Sequence, residues 1–166
     1  MQVADDNGDK RKPVHDMIQQ AANDEVELKG RQMVLLLSSR LIEGDIYTRA
    51  KLAEILESKD MTINTGIFQP RDYDSILLFV TEKKSADRTQ YVDHLDGDRL
   101  YWQGQMAGRK DTLIMTHEQQ CLEVLVFYRG AKGEHPGGGF RYEGRFRYCS
   151  HSAGQPTNFM LERVVE

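Results

Sequence analysis

The sequence predicts an α+β fold: a small, strongly curved β-sheet or partly closed barrel with flanking helices. Three observations carry this. One segment near residue 50 has apolar residues at helical spacing. Six later segments are rich in β-branched and aromatic residues, with turn residues between them. No internal repeat or low-complexity stretch interrupts the order. The 166 residues fit one domain, long enough to bury a core without disulfides or metals. A polar tail and peripheral helix are expected over 1–30, and the folded domain over 31–166.

Each element follows from local chemistry. PVHDMIQQAAND (13–24) has Pro at its start and a thin apolar face, which predicts a short helix. QMVLLLSSRL (32–41) is an apolar run of strand length. Thr48 is placed as a helix N-cap, and Ala50, Leu52, Ala53, Ile55 and Leu56 form the stripe of a helix over 48–58. Strands are expected at 75–82, 89–95, 99–105, 121–130, 139–151 and 157–165. In GFRYEGRFRY, Phe140, Tyr142, Phe146 and Tyr148 are expected on one face and Arg141, Arg145 and Arg147 on the other, with Gly144 marking a bulge.

Charge and composition narrow the function. The net charge of −4 argues against a general polyanion binder. Residues 1–82 hold 10 basic and 15 acidic residues, and residues 83–166 hold 12 and 11. Phosphate contacts would therefore come from a local patch, with modest and salt-sensitive affinity. No apolar run approaches the roughly 20 residues needed to span a bilayer, and the start has no apolar stretch after its charges. Cys121 and Cys149 fit no metal spacing and predict buried or idle thiols in a reducing cytoplasm. No cofactor motif is present: the Gly-rich stretch HPGGGF (135–140) lacks dinucleotide and P-loop spacing. The five histidines fall in no zinc arrangement, and no nucleophile elbow occurs.

The most informative stretch is YVDHLDGDRLYWQGQ (91–105). Asp96-Gly97-Asp98 reads as a tight turn, and the resulting hairpin brings Tyr91 and Asp93 near Tyr101, Trp102 and Gln103. Two aromatic faces and a carboxylate are what a pocket for a planar base needs. The rings stack on the base, and the carboxylate accepts from an exocyclic amine. Without further context, Tyr and Trp on strands more often fill cores or cover surfaces than line such a pocket. QMAGRKD (105–111) supplies small residues with Arg109 and Lys110, which suits a phosphate contact. Arg129, Lys132 and Arg141 flank the Gly-rich loop and extend that candidate patch. Asn64 and Thr65, before the first long strand, are candidates to line the pocket. A competing enzymatic reading takes Asp72 or Asp74 with Glu82-Lys83-Lys84 as a metal-dependent nuclease core of the PD-(D/E)xK type.

The strings IYTRAKLAEIL, INTGIF, SILLFVTEKK, DRTQYVDHLDGDRLYWQGQ, LEVLVFYR and GFRYEGRFRY together resemble a domain at the C-terminal end of some modification-dependent restriction enzymes. That domain occurs beside phospholipase-D-like nuclease and helicase parts, alone, or with HNH nucleases. It is similar to the SRA (SET- and RING-associated) and wider PUA-like group of modified-base readers. The resemblance implies a curved PUA/SRA-like β-barrel with flanking helices. It also implies stacking by Tyr91 and by Tyr101 or Trp102, and an Asp93 that reads the amine of a flipped cytosine derivative. Trp102 and Gln103 depart from the small hydroxyl residue that follows the aromatic in SRA domains.

Taken together, the sequence predicts a non-catalytic cytoplasmic module. Its expected target is double-stranded DNA carrying 5-methylcytosine or 5-hydroxymethylcytosine, recognised by base flipping, and it needs no metal or cofactor. Cleavage is expected from a nuclease or helicase-linked partner in cis or trans. The alternatives are a reader of phosphorothioate or other modified nucleic acid, the metal-dependent nuclease, and a tethering module.

Overall fold

Strands β3 (Ser75–Lys83) and β6 (Glu123–Ala131) form the centre of the structure, because both are apolar on both faces. They pair in parallel, with Leu77 opposite Leu125 and Phe79 opposite Phe127. A parallel pair buried on both sides needs a continuous apolar run, which ILLFV and VLVF supply. The computed structural model describes residues 35–84 and 92–166. The tail and helix expected over 1–30 lie outside these residues.

The other strands are β1 (Ile46–Tyr47), β2 (Ile67–Phe68), β4 (His94–Asp96), β5 (Arg99–Gln103), β7 (Phe140–Ser152) and β8 (Asn158–Arg163). They form one eight-stranded sheet in the order β2-β3-β6-β7-β8-β5-β4, with β1 on β7. All pairs other than β3–β6 are antiparallel. The expectation of an α+β fold is met, but the sheet is not closed into a barrel. No backbone ladder joins β4 to β2 among the described residues.

Two cores lie on opposite faces. One gathers Leu77, Phe79, Leu125 and Phe127 with Leu52 and Leu56 of helix α1 (Arg49–Leu56). The other gathers Ile76, Leu78, Val124 and Val126 with Leu100, Trp102, Phe159 and Leu161 of β5 and β8. It also takes Ile114 of the short helix α2 (Asp111–Met115). Side chains from both halves of the sheet share this second core, so the sheet curls over it. Helix α1 begins where expected: the Thr48 hydroxyl accepts from the Lys51 N–H at 3.0 Å. It ends at Glu57, which takes a left-handed φ of 50°.

Three sequence expectations are corrected. Residues 37–40 form a 3-10 turn rather than a strand. Glu123 accepts from the Ser38 N–H (3.0 Å), the Ser38 hydroxyl (2.6 Å) and the Ser75 hydroxyl (2.7 Å), which holds the turn against the strand starts. The aromatic residues of β7 do not share one face. The bulge at Glu143-Gly144 shifts the register against Val126 and Phe127. Phe140 and Tyr142 therefore enter the first core, and Phe146 and Tyr148 join the second. Gly144 has φ 96°, open to Gly and strained for other residues. Of the buried or idle thiols expected, the buried alternative is the one overturned: Cys121 and Cys149 are free and exposed.

Phe127 is fully buried, stacked on Phe79 at 5.3 Å and beside Tyr142 at 5.1 Å. Phe127→Ala is expected to lower stability by about 3–5 kcal/mol. Gly144→Ala is expected to cost about 1–2 kcal/mol. Urea unfolding of each variant reads both as a shifted midpoint with unchanged slope.

Candidate functional site

The β4–β5 hairpin turns at Gly97-Asp98, with Asp96 opposite Arg99 and Gly97 at φ 57°. Its open end carries the candidate site. Asp93, 4% exposed, stands one residue before β4. Its Oδ1 accepts from the Gln103 backbone N–H at 2.9 Å. A side chain thus replaces the strand carbonyl that would pair there, and β4 starts at His94; residues 89–91 of the strand expected over 89–95 lie outside the described residues. The Asp93 Oδ2 accepts from Lys84 Nζ at 3.0 Å, an ion pair whose carboxylate side chain is 2% exposed and whose ammonium side chain is 21% exposed. Gln103 links two further elements. Its Oε1 accepts from the Val92 N–H (2.7 Å), and its Nε2 donates to Asn158 Oδ1 (2.8 Å).

The two aromatic residues of β5 part company. Trp102 faces the core, stacked on Phe159 at 5.4 Å and 6% exposed. That burial removes it from the candidate stacking rings, because strand alternation sends 100 and 102 inward. Tyr101 faces outward at 43% exposure, between His94 and Met160 in register. Tyr91 lies outside the described residues. Asn64 and Thr65 sit at the end of the turn before β2, exposed and not on the hairpin. The Thr65 hydroxyl is spent on the carbonyls of Thr62 and Ile67.

Beyond Gln103 the chain forms a tight, anchored turn. Gly104 packs so closely on Asp111 and Phe159 that a Cβ would lie 2.9 Å from Asp111 Oδ1. The Gly104 N–H donates to the Thr157 carbonyl, and the Thr157 hydroxyl donates to Asp111 Oδ2 at 2.5 Å. Gly108, at φ 63°, donates to the Gln105 carbonyl. The exposed Met106, and then Arg109 and Lys110, are carried on this turn.

The remaining predicted cations divide. Lys132 is exposed in the turn after β6, next to Ala131, which pairs with the exposed Lys83 of β3. Lys83 is a cation the sequence reading assigned only to the nuclease alternative. Arg129 is a clamp: it donates to Thr81 (2.9 Å) and the Gly138 carbonyl (2.7 Å), and stacks 4.0 Å over Phe140. It holds the Gly-rich loop on the sheet rather than projecting to a phosphate. Arg141, half exposed, donates to Glu143 at 3.0 Å. Glu143 is buried in the β7 bulge and also accepts from Arg163.

The geometry separates the parts of the nuclease alternative. Asp74 and Glu82 lie at opposite ends of β3, eight residues or about 26 Å apart. Asp74 accepts from the Leu35 N–H, Glu82 accepts from the Tyr128 hydroxyl, and Lys84 is paired with Asp93. Among the described residues no group of three or more His, Cys, Asp or Glu is placed to hold a metal ion. Among them, too, no helix is long and apolar enough to cross a membrane. Clefts of about 550 and 380 Å³ open beside Arg145 and beside Asp60. Neither is lined by Asp93, Lys84 or Tyr101.

No known protein family matches the chain, and no curated protein matches it. Among solved structures, a chain described as a modification-dependent TagI restriction endonuclease is similar at TM-score 0.46 and 19% identity. The similarity covers 75% of this chain and 50% of that one, so this chain spans about half the length of that structure.

Side chains also join β3 and β6 to β4. Glu82 takes the Tyr128 hydroxyl and lies 3.6 Å from His94. The Tyr128 hydrogen bond holds the Glu82 carboxyl below its ordinary value of 4.5, and burial with the Glu82 charge pushes the Tyr128 hydroxyl up. A carboxyl lowered in the fold contributes stability above its unfolded value and loses it as pH falls through the folded value. Glu82→Gln is therefore expected to show a smaller drop in melting temperature than the parent between about pH 5 and about pH 3. Equal drops would show that Glu82 does not couple to folding.

Proposed function

We propose that the chain is a non-catalytic reader of a modified base in duplex DNA, acting in modification-dependent restriction. The observation that carries it is the buried Asp93 carboxylate at the open end of the hairpin, fixed by the Gln103 N–H and Lys84. Its surroundings suit nucleic acid: the anchored turn carries Arg109 and Lys110, and Lys132 follows Ala131, the register partner of Lys83. The resemblance read from the sequence gives Asp93 the same role. On this reading the open, curled sheet is a variant of the SRA- and PUA-like barrel.

Cations on the rim hold the backbone and fix the register, and the base swings out of the stack. Extrusion costs a few kcal/mol. Stacking on aromatic rings returns about 1–3 kcal/mol per base. Contact with a methyl group adds only about 1–3 kcal/mol, so discrimination between modified and plain cytosine is tens- to a hundred-fold at best. The target is 5-methylcytosine or 5-hydroxymethylcytosine, and strand cleavage belongs to a nuclease on another domain or chain.

A low-salt titration tests this with matched duplexes: unmodified, 5-methylcytosine, 5-hydroxymethylcytosine, N6-methyladenine and phosphorothioate. Selective binding to a modified-cytosine duplex is expected, abolished by Asp93→Ala. Affinity is expected to fall with salt, and Arg109→Ala is expected to flatten that slope by about one unit. Equal binding across the panel, or none, would favour a tethering role. Preference for phosphorothioate would move the site away from Asp93.

A further inference from the structure

The cleft of about 550 Å³ beside Arg145 opens where the 3-10 turn 37–40, the β7 bulge and the end of β8 meet. We infer that it is a docking site for an acidic peptide segment of a partner protein, with the carboxylate taken by Arg145 and an apolar neighbour seated on Leu36 and Leu41. The inference goes beyond the reading of Asp93 and does not depend on it. The two places stand at opposite ends of the sheet. Ser75 shares Glu123 with the cleft residue Ser38, and Lys84 holds Asp93. Ser75 and Lys84 are nine residues of extended chain apart, about 30 Å. A partner in the cleft therefore leaves the Asp93 end open.

Three polar groups of the cleft are not spent on the fold. Arg145 pairs with the Glu166 carboxylate, whose side chain is 82% exposed. Beyond the Val164 N–H, which donates to the Arg145 carbonyl, no backbone bond holds Val165 or Glu166 among the described residues. A ligand carboxylate can replace Glu166 without breaking a ladder. Tyr142 is 2% exposed, yet its hydroxyl makes no hydrogen bond among the described residues. Its ring packs beside Phe127, and the charges acting on its hydroxyl include Glu43 and Arg145, so the hydroxyl is the end that reaches the cleft. Burial, then the Glu123 and Glu43 charges, push that hydroxyl above its ordinary value, so it stays a donor. A buried hydroxyl without a partner is costly, and a peptide carbonyl supplies one. Glu43, exposed on the rim, makes no ion pair or hydrogen bond among the described residues and can accept a peptide N–H. Arg163, the second guanidinium of the cleft, is committed to Glu143 and Asp98.

Charge decides the class of occupant. A run of phosphates would add its charges to Glu43 and Glu123, both of which act on the cleft floor. One carboxylate in exchange for Glu166 leaves the balance unchanged. Leu36, Leu41 and Val164 make the walls apolar, which suits an apolar residue beside the acid rather than a bare ion. The chain's own Val164-Val165-Glu166 has this pattern, and it already places a carboxylate on Arg145.

The probe is the peptide acetyl-Val-Val-Glu-amide, titrated into the whole chain by calorimetry beside its Gln analogue and glutarate. Saturable binding of the Glu peptide is expected, with the Gln analogue at least about tenfold weaker. Glu166→Ala, which frees Arg145 and touches nothing in either core, is expected to tighten the Glu peptide several-fold. Arg145→Gln is expected to abolish binding. Because Arg145→Gln could disturb the bulge, Glu166→Ala carries the test: affinity unchanged there overturns the inference. So does a Glu peptide that saturates neither the parent nor Glu166→Ala, or one that binds no better than its Gln analogue. Glutarate bound as tightly as the peptide would make the cleft a site for a free acid and overturn the peptide occupant. Sedimentation of the chain alone covers the remaining occupant. A dimer that Arg145→Gln dissociates would seat a second copy in the cleft and overturn the foreign partner.

Discussion

The bulge at Glu143-Gly144 is the constraint on which the rest of the structure depends. A regular thirteen-residue strand would present all its even-numbered side chains to one core. One extra residue, opposite the Val126–Phe127 step, turns β7 over midway. Its first part then serves the core under α1 and its second part serves the core under β5 and β8. Without that change of face, β8 and β5 would not be carried round to pack over β3 and β6. The bulged carboxylate is also the hub of a local network: Glu143 accepts from Arg141 and Arg163, and Arg163 reaches on to Asp98 in the hairpin turn. A buried carboxylate is tolerable only when paired in this way.

The curl brings the far end of the sheet back to its centre, but polar side chains rather than a backbone ladder make the join. Tyr128 and His94 meet at Glu82, and Lys84 meets Asp93. Here the seam is made of side-chain pairs, Glu82 with Tyr128 and His94, and Asp93 with Lys84. The same residues that finish the fold are those that face an incoming base on the proposed reading.

The surface charge follows a similar division of labour. Several cations that look alike in sequence are used differently once folded. Arg129 and Arg141 are held by the sheet, one over Phe140 and one on Glu143. Arg109 and Lys110 follow a turn pinned by Asp111 and Thr157, and Lys132 stands on a turn beside Lys83. On the proposed reading, these exposed cations on a chain of net charge −4 suit binding that is steered by salt-sensitive contacts and decided by the base.

What the sequence by itself determined is local. Thr48 caps its helix, Gly97 makes its turn, and the apolar runs of β3 and β6 are strands, because each needs only neighbouring residues to act. The closeness of Asp93 to Gln103 was also legible, since a two-residue turn fixes the register of the hairpin. What only the tertiary structure decided depends on residues distant in the chain. Trp102 is a core residue because Phe159 covers its ring, and Tyr101 is outward for the same alternation read from the other side. Arg129 is a clamp because Gly138 and Phe140 return beside it. The apolar run at 37–40 turns instead of extending because Glu123, more than eighty residues away, takes its hydrogen bonds. Propensity and spacing act within a few residues, whereas burial and pairing are set by whatever segment the fold brings back, and that information is not local to any stretch of the chain.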